Sequence, residues 1–217
     1  MSENVLLIGA GGHASVLLDI LIEHNINVLG YVSPSPASNQ TLFSQYRWYQ
    51  SDEDILLFDK ATIKLVNGIG SLPGNTLRAD FYNKYKKIGY SFATLVSKSA
   101  DVSRYVSLEE GVQVMRGAII QTGGSVGYNS IVNTGSIVDH DCSIGSNNHI
   151  APGATISGQV TSLANVHFGT GSSVIQSIHV NENVVIGAGV TITKDVGQNT
   201  TCYPARIFKK VIDCYES

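Results

Sequence analysis

Hydrophobic residues in the second half of the chain recur at every sixth position. The series runs from Val102 to Ile192, and one polar residue, Ser162, interrupts it. Its members are Val102, Leu108, Val114, Ile120, Val126, Val132, Val138, Ile144, Ile150, Ile156, Phe168, Val174, Val180, Ile186 and Ile192. This period predicts a triangular solenoid in which three six-residue edges make one coil and successive coils stack like neighbouring β-strands. We therefore predict a left-handed parallel β-helix of roughly five coils.

A second set of inward-facing positions is expected four residues after each hydrophobic one. Small or β-branched residues fill most of it, for example Val112, Ala118, Gly124, Ser130, Ser136, Ala154, Val166, Val184 and Val190. Glycine directly follows the hydrophobic residue at Gly127, Gly145, Gly169 and Gly187, where a tight corner favours a residue that tolerates unusual dihedral angles. An antiparallel sandwich would instead show a period of two broken by frequent turns, so the pattern favours the β-helix.

The first half of the chain shows the alternation of strands and helices that is typical of a small parallel sheet. Apolar runs predict strands at residues 5–8, 28–32 and 64–69, and helical patterns follow the first strand and occupy about residues 73–87. Residues 38–60 have no clear period and are predicted as a loop with a short helix. The expected organisation is a Rossmann-like α/β domain over residues 1–95 and a β-helix with a C-terminal tail over residues 96–217.

A glycine-rich turn joins the first strand to the first helix. Gly9, Gly11, Gly12 and His13 form a degenerate dinucleotide-binding pattern, which places backbone amides and a helix N-terminus where a phosphate can bind. A dinucleotide site also needs an acidic residue after the second strand, but this strand is followed by Ser33. The turn therefore favours the pyrophosphate of a nucleotide sugar over NAD, and a plain tight turn is the alternative.

Composition narrows the classes of function. The 217 residues carry a net charge of -3 and only 14% charged residues, which argues against nucleic-acid binding. The three cysteines are Cys142, Cys202 and Cys214; their odd number and wide spacing indicate neither a disulfide framework nor a zinc ribbon, and a reducing cytoplasm fits them best. No signal peptide or membrane-spanning run is evident, so no membrane association is expected.

His140 is the candidate for chemistry in the β-helix. It lies two residues after Val138, near a corner where side chains point outward. Acetyl transfer from a thioester needs a base with a pKa near neutrality, and a neighbouring carboxylate, from Asp139 or Asp141, can orient an imidazole and stabilise its charge. The plain alternative is a solvated surface histidine.

A metal site is a further alternative for the second half of the chain. It would draw on His140, Cys142, His149, His167 and His179. The γ-class carbonic anhydrases, which are metal-bearing β-helices, carry two histidines at a spacing that no pair in this chain shows, so we favour a base over a metal. Cys142 falls on an inward position and is interpreted as a packing residue.

Several motifs together resemble the sugar O- and N-acetyltransferases that join a small nucleotide-binding α/β domain to a left-handed β-helix. This family includes bacterial sialic acid O-acetyltransferases and the N-acetyltransferases of UDP-4-amino sugars in the bacillosamine pathway. The shared features are residues 9–13, Gly68-Ile69-Gly70, Asn133-Thr134, His140-Asp141, His149, residues 186–189 and Pro204-Ala205-Arg206. The resemblance covers nearly the whole chain.

The resemblance implies a site shared between subunits of a homotrimer. It implies that His140 is the general base, Asp141 its partner and Asn133 a neighbour of the substrate amine. Acetyl-CoA would contact His149, Gly158, Gly187, Ala188 and Gly189, with the amide of Gly158 stabilising the oxyanion. Gly9, Gly11, Gly12, His13, Ser33 and Gly70 would bind the nucleotide sugar.

The resemblance also implies a reaction. We expect acetyl transfer from acetyl-CoA to the 4-amino group of a UDP- or dTDP-linked amino sugar in bacterial surface glycan biosynthesis, without a covalent enzyme intermediate and without a metal. Acetylation of a sugar hydroxyl, as on sialic acid, is the alternative acceptor chemistry. A noncatalytic oligomeric scaffold is the alternative from another class.

Overall fold

The computed structural model describes residues 4–37 and 40–204, and its first domain is a four-stranded parallel sheet with flanking helices. The sheet has the order β3-β2-β1-β4. Its elements are β1 (Asn4–Ile8), α1 (Gly12–Glu23), β2 (Asn27–Val32), α2 (Gln40–Phe43), β3 (Trp48–Tyr49), a 3-10 helix (Asp52–Leu57), β4 (Lys64–Asn67) and α3 (Leu77–Lys87). Because all three strand pairs are parallel, the carboxyl ends of the strands lie at one edge of the sheet.

Two details of this domain differ from the sequence-based prediction. The segment over residues 38–60 contributes the edge strand β3 and two short helices, where a loop and one helix were expected. Trp48 holds this strand in place, because its indole N–H donates to the Ser33 carbonyl oxygen at 2.9 Å. The strand was not predicted because two residues are too few to show a period. Helix α3 starts at Leu77 instead of near residue 73, since Gly74 is in the left-handed region (φ 74°) and belongs to a turn before the helix.

The second domain is the predicted left-handed β-helix, built from three parallel sheets that we call its faces. The first face contains β5 (Leu95–Val96), β8 (Gln113–Val114), β11 (Ile131–Val132), β14 (His149–Ile150), β17 (His167–Phe168), β20 (Val185–Ile186) and β22 (Thr201–Cys202). The second contains β6 (Asp101–Val102), β9 (Ile119–Ile120), β12 (Ile137–Val138), β15 (Thr155–Ile156), β18 (Ser173–Val174) and β21 (Thr191–Ile192). The third contains β7 (Ser107–Leu108), β10 (Ser125–Val126), β13 (Ser143–Ile144), β16 (Thr161–Ser162) and β19 (His179–Val180).

Faces of seven, six and five strands make about six coils, one more than the sequence predicts. The difference arises because β5 precedes the hydrophobic series and β22 follows it. Within each face, a residue pairs with its equivalent one coil later, as Ile137 does with Thr155. Ala205, Arg206 and Cys214, which belong to the predicted C-terminal tail, lie outside the described residues.

Both predicted sets of inward positions face the interior of the β-helix, and they are buried except near its start, where Val102 and Leu108 are partly buried. Each fully buried aliphatic or aromatic side chain of the series stabilises the fold by roughly 1.5–3 kcal/mol relative to an exposed position. Ser162 also points inward, since only 2% of it is exposed. Its hydroxyl accepts a hydrogen bond from the Asn148 side chain at 2.7 Å, so the polar residue keeps its place in the series.

The glycines at the corners of the β-helix are required for a different reason from the one predicted. The first corner joins the first face to the second, the second corner joins the second face to the third, and the third corner joins the third face back to the first. Gly169 does not have a positive φ; a Cβ there would lie 2.5 Å from the Ile186 carbonyl oxygen of the next coil. The glycines at Gly127, Gly145, Gly169 and Gly187 are therefore required by close backbone contact, and the left-handed conformation falls two residues later in the corner, as at Gly189 and Asp141.

Helices and thiols add two observations on the described part of the chain. No helix within residues 4–37 and 40–204 is long and apolar enough to cross a lipid bilayer. Cys142 and Cys202 are free thiols, and Cys142 is buried in the β-helix interior as predicted.

Candidate active site

The glycine-rich turn lies at the carboxyl edge of the α/β sheet, where the predicted substrate-binding residues gather. The amide of Gly9 donates to the Val32 carbonyl oxygen at 2.7 Å, which places the turn beside Ser33. A Cβ on Gly9 would lie 3.2 Å from the Gly68 carbonyl oxygen, so the turn also touches the end of β4. Gly11 and Gly12 have open space where a Cβ would stand. The turn is therefore accessible to a ligand on that side, at the place where parallel sheets commonly bind phosphates.

His13 faces the β-helix instead of solvent. Its Nε2 lies 2.8 Å from Oε1 of Gln113, an amide oxygen that accepts, so Nε2 carries the proton. The orientation of the Gln113 amide is fixed independently, since its Nε2 donates to the Asn67 carbonyl oxygen at 2.8 Å. Burial, and then the positive charge of Arg78, lower the pKa of His13 to about 4. This histidine is thus neutral at pH 7 and connects the glycine turn to the second domain.

Arg78, which sequence analysis did not single out, organises the contact between the domains. Its guanidinium donates to the carbonyl oxygens of Asn67, Ile69 and Asn129 at 2.8, 2.7 and 3.1 Å, and to Oε1 of Gln113 at 3.0 Å. All four acceptors are neutral oxygens, and burial lowers the pKa of Arg78 to about 9. The charge therefore persists at neutral pH and holds the strand end after β4 against the β-helix.

His149 and Asn133 form a second polar contact, next to Ser71 in the loop that follows β4. Asn133 Nδ2 lies 2.9 Å from His149 Nε2, and His149 Nδ1 lies 3.1 Å from the Ser71 carbonyl oxygen. Only 9% of His149 is exposed. Burial, and then the neighbouring His167, lower the pKa of His149 to about 3. Both ring nitrogens are therefore occupied by protein groups, and the expected contact of His149 with acetyl-CoA stays a prediction.

His140 and Asp141 form a hydrogen-bonded pair on the surface of the second corner. Nδ1 of His140 lies 2.9 Å from Oδ2 of Asp141, and the two side chains are 51% and 58% exposed. Of the two candidate carboxylates, Asp139 binds the backbone instead, because its Oδ1 accepts from the His140 amide at 2.7 Å. The hydrogen bond that His140 donates to Asp141 is the main cause that raises the pKa of His140, and the charges of Asp139 and Asp141 add to it.

Two glycines, one coil away on either side, leave the space that this pair occupies. A Cβ on Gly158 would lie 2.5 Å from His140 Nε2 and 2.6 Å from Cε1. On the preceding coil, a Cβ on Gly123 would collide with the Oδ1 atom of Asp141. The imidazole thus lies against the backbone of Gly158, with Nδ1 bound to the carboxylate and Nε2 at the opposite side of the ring. This geometry suits a base whose Nε2 accepts a proton.

We expect that replacing Asp141 by asparagine shifts the acid limb of the pH–rate profile to lower pH. A raised pKa keeps more of the His140 imidazole protonated near neutrality, and only the unprotonated ring accepts a proton; without the carboxylate, the pKa falls toward its ordinary value. Asparagine tolerates the left-handed backbone of Asp141 (φ 57°). The measurement is kcat/KM against pH.

Asp139→Asn is the matched control for this prediction. Its carboxylate binds the backbone amide and not the ring, so we expect a smaller shift of the same sign. A limb that stays in place in Asp141→Asn would show that the carboxylate does not set the pKa of the group that limits activity.

The predicted site residues fall on two different corners of one chain. Asn133 and residues 187–189 lie at the first corner, whereas His140, Asp141 and Gly158 lie at the second. The two corners are consecutive along the chain and flank the second face of the β-helix. A site that uses both corners at once is consistent with a groove between neighbouring subunits, which stays a prediction.

The residues considered for a metal site are dispersed. His140 is at the second corner and Cys142 is inside the β-helix, while His179 lies outward on the third face. His149 and His167 are neighbours on the first face, with ring centroids 4.9 Å apart in an edge-to-face contact. Among the described residues, no three His, Cys, Asp or Glu side chains stand close enough to hold a metal ion.

A cleft of about 190 Å³ lies between the loop after β4 and the third corner, away from His140. Its β-helix side is formed largely by Asn129, Asn147, Asn165 and Asn183, which repeat once per coil and all have left-handed backbones. The Asn129 side chain donates to that of Asn147 at 2.8 Å. This asparagine ladder was not predicted, although the sequence places the same residue type at every eighteenth position.

Fold and site together define a class of protein: a left-handed β-helix acyltransferase with an α/β domain placed over its first face. Comparisons with known proteins give the more specific assignment. The family model for the PglD N-terminal domain matches residues 4–85. No curated protein matches the chain at the sequence level.

Solved structures match over nearly the whole chain. Perosamine N-acetyltransferase from Caulobacter crescentus, in complex with CoA and GDP-perosamine as a histidine variant, is 28% identical, covers 91% of this chain and 92% of its own, and has a TM-score of 0.82. The acetyltransferase domain of PglB from Neisseria gonorrhoeae, with acetyl coenzyme A, is 24% identical over 93% and 96% of the two chains, with a TM-score of 0.82. WeeI from Acinetobacter baumannii is 18% identical over 92% and 96%, with a TM-score of 0.79. The last two are evidence for the fold alone.

These findings confirm the resemblance seen in the sequence. Residues 4–85 match the PglD N-terminal domain, and the chain as a whole is similar to a sugar N-acetyltransferase of known structure. The predicted fold and acyltransferase class are both correct.

Proposed function

We propose that the protein transfers an acetyl group from acetyl-CoA to the amino group of a nucleotide-linked amino sugar. The observation that carries this proposal is the combination, in one chain, of an open glycine turn and a surface His140–Asp141 pair. The perosamine enzyme, which is similar along almost its entire length, was solved with CoA and with a GDP-linked amino sugar. We propose a 4-amino group as the acceptor and leave GDP, UDP and dTDP as the nucleotides to compare.

His140 acts as the general base in the proposed reaction. The unprotonated amine attacks the thioester carbonyl, and the nitrogen becomes positively charged as the tetrahedral intermediate forms. Nε2 of His140 removes a proton from this nitrogen, while Asp141 stabilises the imidazolium through Nδ1. The amide of Gly158, next to the ring, is the proposed donor to the oxyanion. Collapse of the intermediate expels CoA as its thiolate, and no covalent enzyme intermediate is needed.

A homotrimer is proposed as the working form. The first corner carries Asn133 and residues 187–189 and the second carries His140, so a groove between two β-helices can present the first corner of one subunit to the second corner of another. In this arrangement coenzyme A contacts residues 187–189. Both proposed substrates are cytoplasmic metabolites, and we place the enzyme there.

Mass spectrometry of product mixtures tests the proposed function. The purified protein is incubated with acetyl-CoA and a panel of GDP-, UDP- and dTDP-linked 4-amino sugars, with sialic acid and with the corresponding 4-hydroxy sugars. We expect the mass of one acetyl group on at least one nucleotide amino sugar and release of one CoA thiol per product. Acetylation of hydroxyl acceptors alone would establish the O-acetyltransferase alternative. No acetylated product from any acceptor would contradict the proposal and favour a scaffold.

A further inference from the structure

We infer that His149 is a positioning residue: as a neutral ring protonated on Nδ1, it links the loop after β4 to the side-chain amide of Asn133 and fixes which way that amide faces. The inference rests on the proposed function only in that Asn133 meets the acceptor sugar. It assigns His149 a role through another residue, in place of direct contact with the cofactor.

The hydrogen bonds of His149 define one tautomer. The Ser71 carbonyl oxygen, 3.1 Å from Nδ1, can only accept, so Nδ1 carries the hydrogen. Nδ2 of Asn133, 2.9 Å from Nε2, can only donate, so Nε2 carries none. The two contacts therefore require the same neutral ring. Protonation of Nε2 would set two N–H donors against each other inside a contact of which only 9% of the histidine is exposed.

The orientation of the Asn133 amide has independent support. Its Oδ1 accepts from the backbone amide of Thr134 at 2.8 Å and faces the Thr134 hydroxyl at 3.4 Å. Turning the amide over would place N–H against N–H at Thr134 and leave an oxygen against the unprotonated Nε2 of His149. Thr134 and His149 thus hold the amide from both ends in one orientation.

This orientation defines what Asn133 offers to a ligand. Within the described residues, its oxygen is engaged by Thr134 and one hydrogen of Nδ2 by His149, so the second hydrogen of Nδ2 is the group that remains. An N–H donor pairs with an oxygen. The partner on the bound sugar is therefore a hydroxyl oxygen near the acceptor amine, while the amine keeps its lone pair for attack on the thioester.

His149 also connects the Nδ2 group of Asn133 to the loop after β4, which carries Gly70 and Ser71. Ser71 directly follows Gly70, and a Cβ on Gly70 would lie 3.7 Å from Cβ of His13 in the glycine turn. A shift of the loop that carries Ser71 therefore bears on His149 and, through it, on Asn133. The His149 ring therefore links the loop after β4, which lies beside the glycine turn, to the side chain that places the sugar on the β-helix.

Histidine NMR tests the tautomer without any substrate. In protein labelled with 15N-histidine, two-bond nitrogen–proton correlations distinguish Nδ1–H from Nε2–H rings, and the His149→Phe spectrum identifies the signal. We expect the Nδ1–H form, with no protonation between pH 7.5 and pH 5.5. The opposite tautomer, or protonation in that range, would overturn the inference. This arm stands even if none of the sugars tested is a substrate.

Steady-state kinetics test the action through Asn133. We expect His149→Phe, which keeps a ring but no nitrogen, to raise KM for the nucleotide sugar about tenfold, the scale of one lost hydrogen bond. KM for acetyl-CoA and kcat should stay within about twofold. In an Asn133→Ala background the same substitution should have no further effect. An equal effect in both backgrounds, or a rise in KM for acetyl-CoA instead, would contradict a positioning role.

His179→Phe is the matched control for both arms. His179 precedes a buried valine in β19 just as His149 precedes a buried isoleucine in β14, but it is exposed on another face. We expect wild-type kinetics from this variant. Thermal unfolding of all variants separates loss of folded protein from loss of sugar affinity.

Discussion

His140→Asn lowers kcat/KM for the amino-sugar acceptor by about 100- to 10,000-fold, the range that removal of a general base usually produces. Asparagine cannot accept a proton at neutral pH, so the tetrahedral intermediate loses its proton only to water. We expect the loss to be smaller at high pH, where hydroxide and buffer bases replace the imidazole. The measurement is release of CoA thiol against time at saturating acetyl-CoA, from pH 6 to pH 9.

The fold should tolerate this change, because the His140 side chain is half exposed at a corner and its backbone bonds are independent of the ring. Thermal unfolding of the variant should therefore match that of the wild type. His179→Asn, on an exposed strand position, is the control and should retain full activity. A His140→Asn enzyme within threefold of wild type would exclude His140 as the base and leave a deprotonated amine that reacts unassisted.

Periodic features of this chain were predictable from sequence because each position has one environment. In a β-helix every sixth residue points into the same packed interior. The hydrophobic series therefore predicts which side chains point inward and how long the structural repeat is. Ser162 shows the limit of reading polarity alone. The residue keeps the inward place that its position predicts, and Asn148, itself on an inward position, supplies the hydrogen-bond partner that makes burial possible.

Contacts between the domains were not predictable, because the residues that form them are not related by any repeat in the sequence. His13 bonds to Gln113 a hundred residues away, and Arg78 looks in the sequence like any basic residue of an amphipathic helix. Both make sense only once the α/β domain lies on the first face, which buries them and directs them to neutral oxygens. The His140–Asp141 pair could be identified because its partners are adjacent in sequence, whereas the space provided by Gly123 and Gly158 requires the neighbouring coils.

Gly158→Ala lowers kcat/KM by roughly 100-fold, a loss comparable to that from displacing a catalytic group by about an ångström. The new Cβ would lie 2.5 Å from Nε2 of His140, so the exposed ring must move away from Gly158. The change keeps the backbone amide of residue 158, which is the proposed oxyanion donor. The loss therefore measures the placement of the base and not the removal of that donor.

Gly197→Ala is the matched control for steric bulk at a glycine of the β-helix. Its φ is not in the left-handed region, and the nearest atom to the new Cβ is Oγ1 of Thr200 at 4.0 Å, so activity and stability should be unchanged. A second comparison uses the His140→Asn background. If the methyl group acts by displacing the imidazole, Gly158→Ala adds little to the loss already caused by His140→Asn, because residues that work as one unit are not additive. A full additional 100-fold loss in the His140→Asn background would mean that the methyl group blocks the substrate. Wild-type activity in the single variant Gly158→Ala would mean that the ring does not act from the position against Gly158.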